Sequence, residues 1–338
     1  MNTEDISFII PVFNRPDEIS ELLQSFSQLK SAKQFEIVIV EDGSTIASDK
    51  VIEEYKEQLS IRYMVKENSG PGDSRNYGMS HAKGQYFIIL DSDCILPGNY
   101  LENVLESLNK DFVDCFGGPD AAHPSFTNIQ KAINFSMTSW LTTGGIRGKK
   151  GSIDKFQPRS FNMGLSRKAF EATQGFGRIH PGEDPDLSIR LEKLGFKTKL
   201  IPEAYVYHKR RISWSKFYFQ VKKFGMVRVI LNKWHPQTKK LTYWFPTLFC
   251  LGAILAILAL FFGFYIPIYG YGIYFLLCLI TAMVLTKSII VTLLSLVAVC
   301  IQFFGYGYGF LLANIGLLLS DKNEELLFPN LFFKQKVQ

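Results

Sequence analysis

The amino-acid sequence predicts an α/β fold in which a parallel sheet is followed by membrane-spanning helices. In the first two thirds of the 338 residues, apolar runs of strand length alternate with segments whose apolar residues recur at helical spacing. Residues 244–320, in contrast, hold Lys287 as their only Lys, Arg, Asp, Glu or His. Their apolar stretches reach the roughly 20 residues that one bilayer crossing needs. We therefore expect a soluble α/β domain joined to a membrane part.

The opening segment predicts the sheet. Two apolar runs closed by turn residues, "ISFIIPVFN" at 6–14 and "FEIVIVEDGS" at 35–44, are typical of buried strands. The apolar residues between them have helical spacing, and a strand, a helix and a strand form a parallel unit. The same pattern predicts two further pairs of helix and strand, at 51–59 with 61–65 and at 73–82 with 86–90.

Beyond residue 96 the alternation weakens. The patterns predict helices at 97–110, 128–141 and 184–195, a strand at 159–166, extended segments at 111–118 and 196–208, and a glycine-rich basic loop at 142–152. The five cysteines have no metal-type spacing, so we expect free thiols in a reducing compartment.

The net charge of +6 is concentrated before the first apolar span. No Asp or Glu occurs between Glu203 and Asp321, whereas basic residues are frequent between residues 209 and 240. Such a basic flank predicts a cytoplasmic side and can contact anionic lipid headgroups, which favours membrane lipid over nucleic acid as the partner. The start of the chain lacks the basic region and apolar core of a signal peptide, in agreement with a cytoplasmic N-terminal domain.

The membrane part has two predicted pieces and a tail. Residues 213–243 contain "WSKFYFQVKKFGMVRVILNKW", which predicts an amphipathic helix at the membrane surface, with an ordinary domain helix as the alternative. Residues 244–320 hold three spans, or four if the last span is broken at Gly305–Gly309. The lysines of the tail at 321–338 favour a cytoplasmic tail and an even number of crossings.

Short motifs at the strand ends carry the functional signal. No GxGxxG or Walker motif follows any strand. Five segments, "FIIPVFNR", "IVIVEDGS", "NSGPGDSRNYGMSHAKGQYFIILDSD", "NMGLSRKAF" and "GEDPDLSIRLEKLG", resemble in this order the family 2 glycosyltransferases, inverting enzymes with the Rossmann-like GT-A fold. The resemblance implies a GT-A nucleotide-diphosphosugar domain at 1–212. The segment "QVKKFGMVRVILNKWHP" is similar to membrane-anchored bacterial members that build exopolysaccharides.

Asp91 and Asp93, with Ser92 between them, follow a fully apolar strand. Two acids at this place either form a solvated turn or meet a cation at the carboxyl end of the sheet, where open α/β sheets bind ligands. The pair matches the Asp-x-Asp motif of the resembling family, which implies a divalent cation held against the diphosphate of a nucleotide sugar. Carboxylate oxygens suit Mn²⁺ or Mg²⁺. The resemblance also implies that His208 completes the metal shell or contacts the diphosphate, whereas a lone His is more often structural.

The donor nucleotide is expected at the ends of the first two strands. The resemblance implies that the turn of Glu41 and Asp42 contacts the nucleotide, with Asp42 facing the base or ribose. Pro11, Val12 and Asn14 would form another wall of this pocket. A turn that caps the next helix is the alternative for Glu41 and Asp42.

Two further charged positions belong to the resemblance. In "GPGDSRNYG" it implies that Arg75 contacts the nucleotide or its phosphates, with a surface ion pair to Asp73 as the alternative. Glu183 and Asp184 match the family's Glu-Asp pair, in which Asp184 would be the general base. From the residues alone, Asp184 is a natural helix cap because Pro185 suits the first helical position.

The sequence thus predicts a metal-dependent inverting hexosyltransferase anchored in the inner membrane. It would move a sugar from a UDP- or GDP-linked donor to a lipid-linked glycan or polysaccharide acceptor at the cytoplasmic face. Transfer to polyprenyl phosphate, which needs no base, is the alternative within this class. A catalytically inactive binding module and a nucleotide-sensing membrane protein or transporter are alternatives of other classes, although the nearly uncharged spans offer no obvious ion path.

Overall fold

The computed structural model describes residues 1–30, 34–121, 126–143, 156–208 and 213–333, which form two compact units. The first, called the sheet unit, contains residues 1–30, 34–121, 156–208 and 332–333. The second, called the helical unit, contains residues 126–143 and 213–331. The predicted domain boundary at residue 212 differs from this division in two places, because residues 126–143 group with the helices and Phe332 and Phe333 group with the sheet.

The sheet unit alternates strands and helices in its first half, as the sequence predicts. Its strands are β1 (Ile6–Val12), β2 (Glu36–Asp42), β3 (Ile61–Lys66), β4 (Tyr86–Leu90), β5 (Cys94–Ile95), β6 (Cys115–Gly117), β7 (Asp120–Ala121), β8 (Asn162–Ser166), β9 (Thr198–Leu200) and β10 (Val206–His208). Its helices are α1 (Pro16–Ser27), α2 (Asp49–Tyr55), α3 (Pro71–His81), α4 (Tyr100–Lys110), α7 (Arg167–Thr173) and α8 (Glu183–Lys193), with a 3-10 turn at Thr3–Asp5.

The main sheet has seven strands in the order β3-β2-β1-β4-β8-β6-β9. The first four are mutually parallel, whereas β8 runs antiparallel to both β4 and β6. A second sheet of three short strands has the order β5-β10-β7. All residues of β1, β4 and β8 are buried because helices cover both faces, which explains the nearly continuous apolar sequences of β1 and β4.

The helical unit contains the helices that the sequence places after the sheet, together with α5 and α6. Its helices are α5 (Asn128–Thr138), α6 (Trp140–Thr143), α9 (Trp214–Trp234), α10 (Phe245–Leu260), α11 (Ile266–Thr286), α12 (Ile289–Leu318) and α13 (Glu324–Leu327), with 3-10 turns at Pro236–Thr238, Leu241–Trp244 and Pro329–Leu331. Ile133 and Met137 of α5 are buried with Phe217 and Val221 of α9 and Ala298 of α12, which explains why α5 belongs to this unit.

Among the described residues, three helices are long and apolar enough to cross a membrane: Leu241–Leu260, Ile266–Thr286 and Ile289–Leu318. The third runs without interruption through "GYGYG", so the prediction of a break there is wrong. Gly305 and Gly309 lie on one face, where a side chain would overlap α9, and Gly307 lies against α10 at Pro246. These glycines let two helices approach α12 closely and do not interrupt it.

Helix α9 lies along the second half of α12 and runs parallel to it. Phe217 is buried with Ala298 near one end, and Lys233 forms a 2.7 Å ion pair with Glu324 just beyond the other. In between, a side chain at Gly225 would overlap the backbone at Tyr306. The predicted helix is confirmed, and its place at the membrane surface stays a prediction.

Candidate active site

The candidate site lies at the carboxyl ends of the parallel strands. Strand β4 ends at Leu90, and Asp91, Ser92 and Asp93 form the turn that leads into β5. The ladder between β5 and β10 is antiparallel and pairs His208 with Cys94, which brings the imidazole beside Asp93. The distance from His208 Nε2 to Asp93 Oδ1 is 3.1 Å, and that to Asp91 Oδ2 is 3.9 Å. The fold thus brings the three predicted metal ligands together.

Their chemistry suits a hard divalent cation. Two carboxylates and one imidazole are a donor set that Mn²⁺ accepts readily. The carboxylate side chains of Asp91 and Asp93 are 31% and 22% exposed, so they can reach a ligand. The ring of His208 stacks on Phe161 with the centroids 4.7 Å apart, which fixes its plane.

Cys94 lies within 4.8 Å of the ligand atoms of Asp93 and His208. Its thiol is buried and donates to the carbonyl of Phe161 at 3.4 Å. Burial, followed by the charges of Asp93 and Asp91, raises the pKa of Cys94 well above its usual value. A neutral thiol is a poor ligand for a hard divalent cation, so the carboxylates of Asp91 and Asp93 and the imidazole of His208 are the candidate donors.

Arg75 links Asp91 of the Asp-Ser-Asp turn to Glu183 at the start of α8. Its guanidinium is buried and contacts Asp91 Oδ1 at 2.6 Å and Glu183 Oε1 at 3.1 Å. Burial alone would lower the pKa of Arg75, but the charges of Asp91 and Glu183 raise it. The alternative of a surface pair with Asp73 is wrong, because Asp73 instead pairs with Lys66 at 3.2 Å. Arg75 is therefore an internal bridge between two groups of acids.

Glu183 and Asp184 occupy the first turn of α8, and Gly182 is the residue at its cap. Asp184 is therefore not the helix cap, contrary to the prediction from the residues alone. Its Oδ2 lies 3.6 Å from Arg159 Nη1. In the same helix, Asp186 and Arg190 form an ion pair at 2.9 Å.

The pKa values of Glu183 and Asp184 are shifted in opposite directions. Burial would raise the pKa of Glu183, but its contact with His180 and the charge of Arg75 lower it to about 2. Burial raises the pKa of Asp184, the nearby charge of Glu183 adds to this, and Arg159 opposes it. A carboxylate with a raised pKa is a better proton acceptor than one that is firmly paired.

Asp42 lies at the end of β2 and is enclosed by protein donors. It accepts hydrogen bonds from the backbone N–H groups of Ser69 and Gly70 at 3.0 and 2.9 Å. Lys66 Nζ, at the end of β3, lies 2.8 Å from Asp42 Oδ1. Asp42 thus holds the loop before α3 against the edge where the nucleotide is predicted.

The other residues predicted to bind the nucleotide lie at the same edge of the sheet. Glu41 is buried and accepts hydrogen bonds from Ser44, Tyr63 and the backbone N–H of Ser48, so it shapes the turn after β2.

Asn14 holds the same turn from the first strand. Its side-chain oxygen accepts from the N–H groups of Thr45 and Ile46 at 2.8 and 2.9 Å. Pro11 and Val12 are buried in β1, and the hydroxyl of Ser92 donates to Glu18 at 3.0 Å. Their contact with a nucleotide stays a prediction.

Sequence reasoning missed three residues that contact the predicted ones, namely Lys66, Arg159 and His180. It also missed Phe333, which contacts Gly70 and His180. Lys66 ends a strand at the ligand edge, which is a signal that could have identified it. His180 contacts Glu183 at 3.1 Å and Arg159 faces Asp184, but both come from irregular segments. Phe333 lies 263 residues after Gly70, and no local pattern connects them.

The chain is similar to known glycosyltransferases. The family model described as "Glycosyl transferase family 2" matches residues 7–173, which include β1 to β8 and the Asp-Ser-Asp turn. Glu183, Asp184 and His208 lie beyond the matched residues. An uncharacterised glycosyltransferase of Rickettsia conorii is 35% identical over 149 residues, which cover 43% of this chain and 23% of the relative.

Two further proteins are similar to this chain. The poly(ribitol-phosphate) β-N-acetylglucosaminyltransferase TarS of Staphylococcus aureus is 34% identical over 90 residues, or 26% of this chain and 16% of the relative. The chain thus matches less than a quarter of the length of these curated relatives. The solved mannosyltransferase of Pyrobaculum calidifontis, in complex with GDP-mannose and Mn²⁺, has a TM-score of 0.51 at 15% identity and covers 67% of this chain and 64% of its own. The common fold is therefore GT-A.

Proposed function

We propose that this chain, whose residues 7–173 match the family 2 glycosyltransferase model, transfers a sugar from a UDP- or GDP-linked donor to a lipid-linked glycan or polysaccharide acceptor at the cytoplasmic face of a membrane. The observation that carries the proposal is the bridge formed by Arg75. One guanidinium contacts both Asp91 of the Asp-Ser-Asp turn and Glu183 of the α8 pair. A diphosphate at the first group and an acceptor hydroxyl at the second would therefore lie in one site.

The Asp-Ser-Asp turn and His208 would hold Mn²⁺ or Mg²⁺. Such an ion stabilises the negative charge of a departing diphosphate. Arg75 pairs with both Asp91 and Glu183 and so fixes the direction of the two carboxylates. A solved neighbour of this fold contains GDP-mannose and Mn²⁺, which supports the choice of ligand class.

Asp184 would take the proton of the acceptor hydroxyl. Direct displacement with inversion needs a base on the acceptor side, and a positioned carboxylate contributes roughly 10² to 10⁴ in rate. Its raised pKa and its place in the first turn of α8, next to the paired Glu183, support this role. An acceptor phosphate that is already ionised would not need the base, so the requirement for Asp184 distinguishes glycan extension from transfer to polyprenyl phosphate.

A relative and the apolar helices support the proposed acceptor class. TarS, a relative in sequence, is named for transfer to a poly(ribitol-phosphate) polymer. Three helices of this chain can cross a membrane by length and composition. An enzyme and a lipid-linked acceptor that are confined to the same surface meet at a raised effective concentration.

We expect α10 and α11 to form a hairpin that crosses the membrane twice. Helix α9 carries lysines and an arginine along its length, which cannot lie at the bilayer centre without cost. Because α9 packs along α12, these two helices would lie together at the interface. After these helices, Phe332 belongs again to the sheet unit, where it pairs with Ile179. This supports an even number of crossings and a cytoplasmic tail.

Reporter fusions test this topology. A fusion after Phe264 should report the outer side, and fusions after Lys287 and after the C-terminus should report the cytoplasm. An outer location for the C-terminus would contradict the hairpin.

The test of the reaction is release of nucleoside diphosphate by the full chain in lipid. A panel of UDP and GDP sugars is offered with Mn²⁺, with Mg²⁺ and with EDTA, together with membrane extract as acceptor. We expect release from one donor that requires both metal and extract. If no donor is bound or turned over under any condition, the proposed function is wrong.

A further inference from the structure

The last described residues of the chain reach the candidate site. Ile179 and Phe332 form an antiparallel bridge, and the backbone N–H of Phe333 donates to the carbonyl of Arg178 at 3.2 Å. Both contacts lie within the sheet unit. A segment that follows three apolar helices therefore pairs with the loop before α8.

The half-buried Phe333 ring packs against two parts of the site. On one side it lies on Gly70, where any Cβ atom would overlap the ring. On the other side its centroid is 5.9 Å from that of the His180 imidazole. Because Gly70 has a φ of 96° and no side chain, the ring contacts the loop backbone directly.

Gly70 and His180, the two residues that the ring contacts, each lie within hydrogen-bond distance of a predicted functional acid. The N–H of Gly70 donates to Asp42 Oδ2 at 2.9 Å, on the nucleotide side. The Nδ1 atom of His180 lies 3.1 Å from Glu183 Oε1, on the acceptor side. Phe333 is therefore the side chain that touches both the loop held by Asp42 and the residue that holds Glu183.

We propose that Phe333 is a positioning residue for the transferase reaction, which fixes the Gly70 loop and His180 relative to each other and so keeps the nucleotide side and the acceptor side of the site in register. This inference rests on the proposed function for its catalytic consequence. The placement itself rests only on the contacts of Phe333.

The kinetic test uses Phe333→Ala, with Phe333→Tyr as the conservative variant and Phe112→Ala as the control. Phe112 is a phenylalanine of the sheet unit with 53% exposure. We expect Phe333→Ala to raise KM for the donor and to lower kcat, each by about three- to tenfold, because the two sides of the site are then held less precisely relative to each other. Phe333→Tyr should restore both constants, and Phe112→Ala should leave them unchanged. Unaltered constants in Phe333→Ala would overturn the inference, and so would a loss that only follows the folded fraction.

Hydrogen exchange tests the placement without activity. In Phe333→Ala the amides of residues 68–70 should exchange faster, because the ring that covers the loop is gone, while those of β1 stay protected. Unchanged exchange in residues 68–70 would overturn the inference. An inactive wild-type enzyme would instead contradict the proposed function, and the exchange result would still decide the role of Phe333.

Discussion

The two acidic pairs of the sheet unit have the same chemistry but different surroundings. Asp91 and Asp93 are partly exposed in a turn and face His208, whereas Glu183 is 4% and Asp184 is 16% exposed at the start of a helix. Exposure suits a pair that binds a charged ligand from solvent. Burial next to fixed charges moves the pKa values of Glu183 and Asp184 apart. The difference teaches that surroundings can prepare carboxylates of the same chemistry for different tasks, and it supports the two roles proposed for these pairs.

The largest effect is expected at the first pair. Asp93→Ala removes a metal ligand and the electrostatic stabilisation of the leaving diphosphate, so kcat/KM should fall roughly a thousandfold. Asp111→Ala, at an exposed acid directly after α4, is the control. Steady-state release of nucleoside diphosphate measures both, and retention of metal-dependent activity in Asp93→Ala would remove the metal role from this pair.

At the second pair, Asp184→Asn keeps the shape of the side chain and removes the base. We expect transfer to fall by about a hundredfold or more, with donor binding unchanged. Isothermal titration with the donor and a transfer assay separate the two quantities. Near-wild-type transfer would indicate an acceptor that needs no deprotonation.

The bridge between the pairs can be removed with Arg75→Met. Breaking a buried ion pair leaves uncompensated charge and typically costs about 3–5 kcal/mol of folding free energy. The matched control is Arg62→Met, which breaks the more exposed pair with Glu36 and should cost less than about 1 kcal/mol. Denaturant unfolding of both variants in detergent gives the difference, and equal costs would show that the bridge is not structural.

A smaller effect is expected in the pH dependence. The charge of Arg159 lowers the pKa of Asp184, which burial otherwise raises. A base must be deprotonated, so activity rises as the pH passes its pKa, and Arg159→Gln should move this rise to higher pH. A profile of kcat/KM against pH measures the shift. A shift to lower pH would contradict the role of Asp184 as the base.

The sequence predicted most of the sheet and most members of the site. Strands β1 to β4 were predictable because their apolar runs end at turn residues, and the motifs identified both acidic pairs. The bridging by Arg75 was not predictable, since its partners lie 16 and 108 residues away. Glycines 305–309 misled the prediction, because glycine breaks an isolated helix but permits close packing of neighbours. The contact of Phe333 with Gly70 depends on the tertiary fold alone.

The central claim is that one site has a metal side and a base side. Its most direct test measures metal-dependent donor binding and sugar transfer separately for wild type, Asp93→Ala and Asp184→Asn. We predict that Asp93→Ala loses the metal-dependent part of donor binding, whereas Asp184→Asn binds donor with metal as the wild type does and fails only in transfer. If both variants lost the same step, the division of the site into two sides would be wrong.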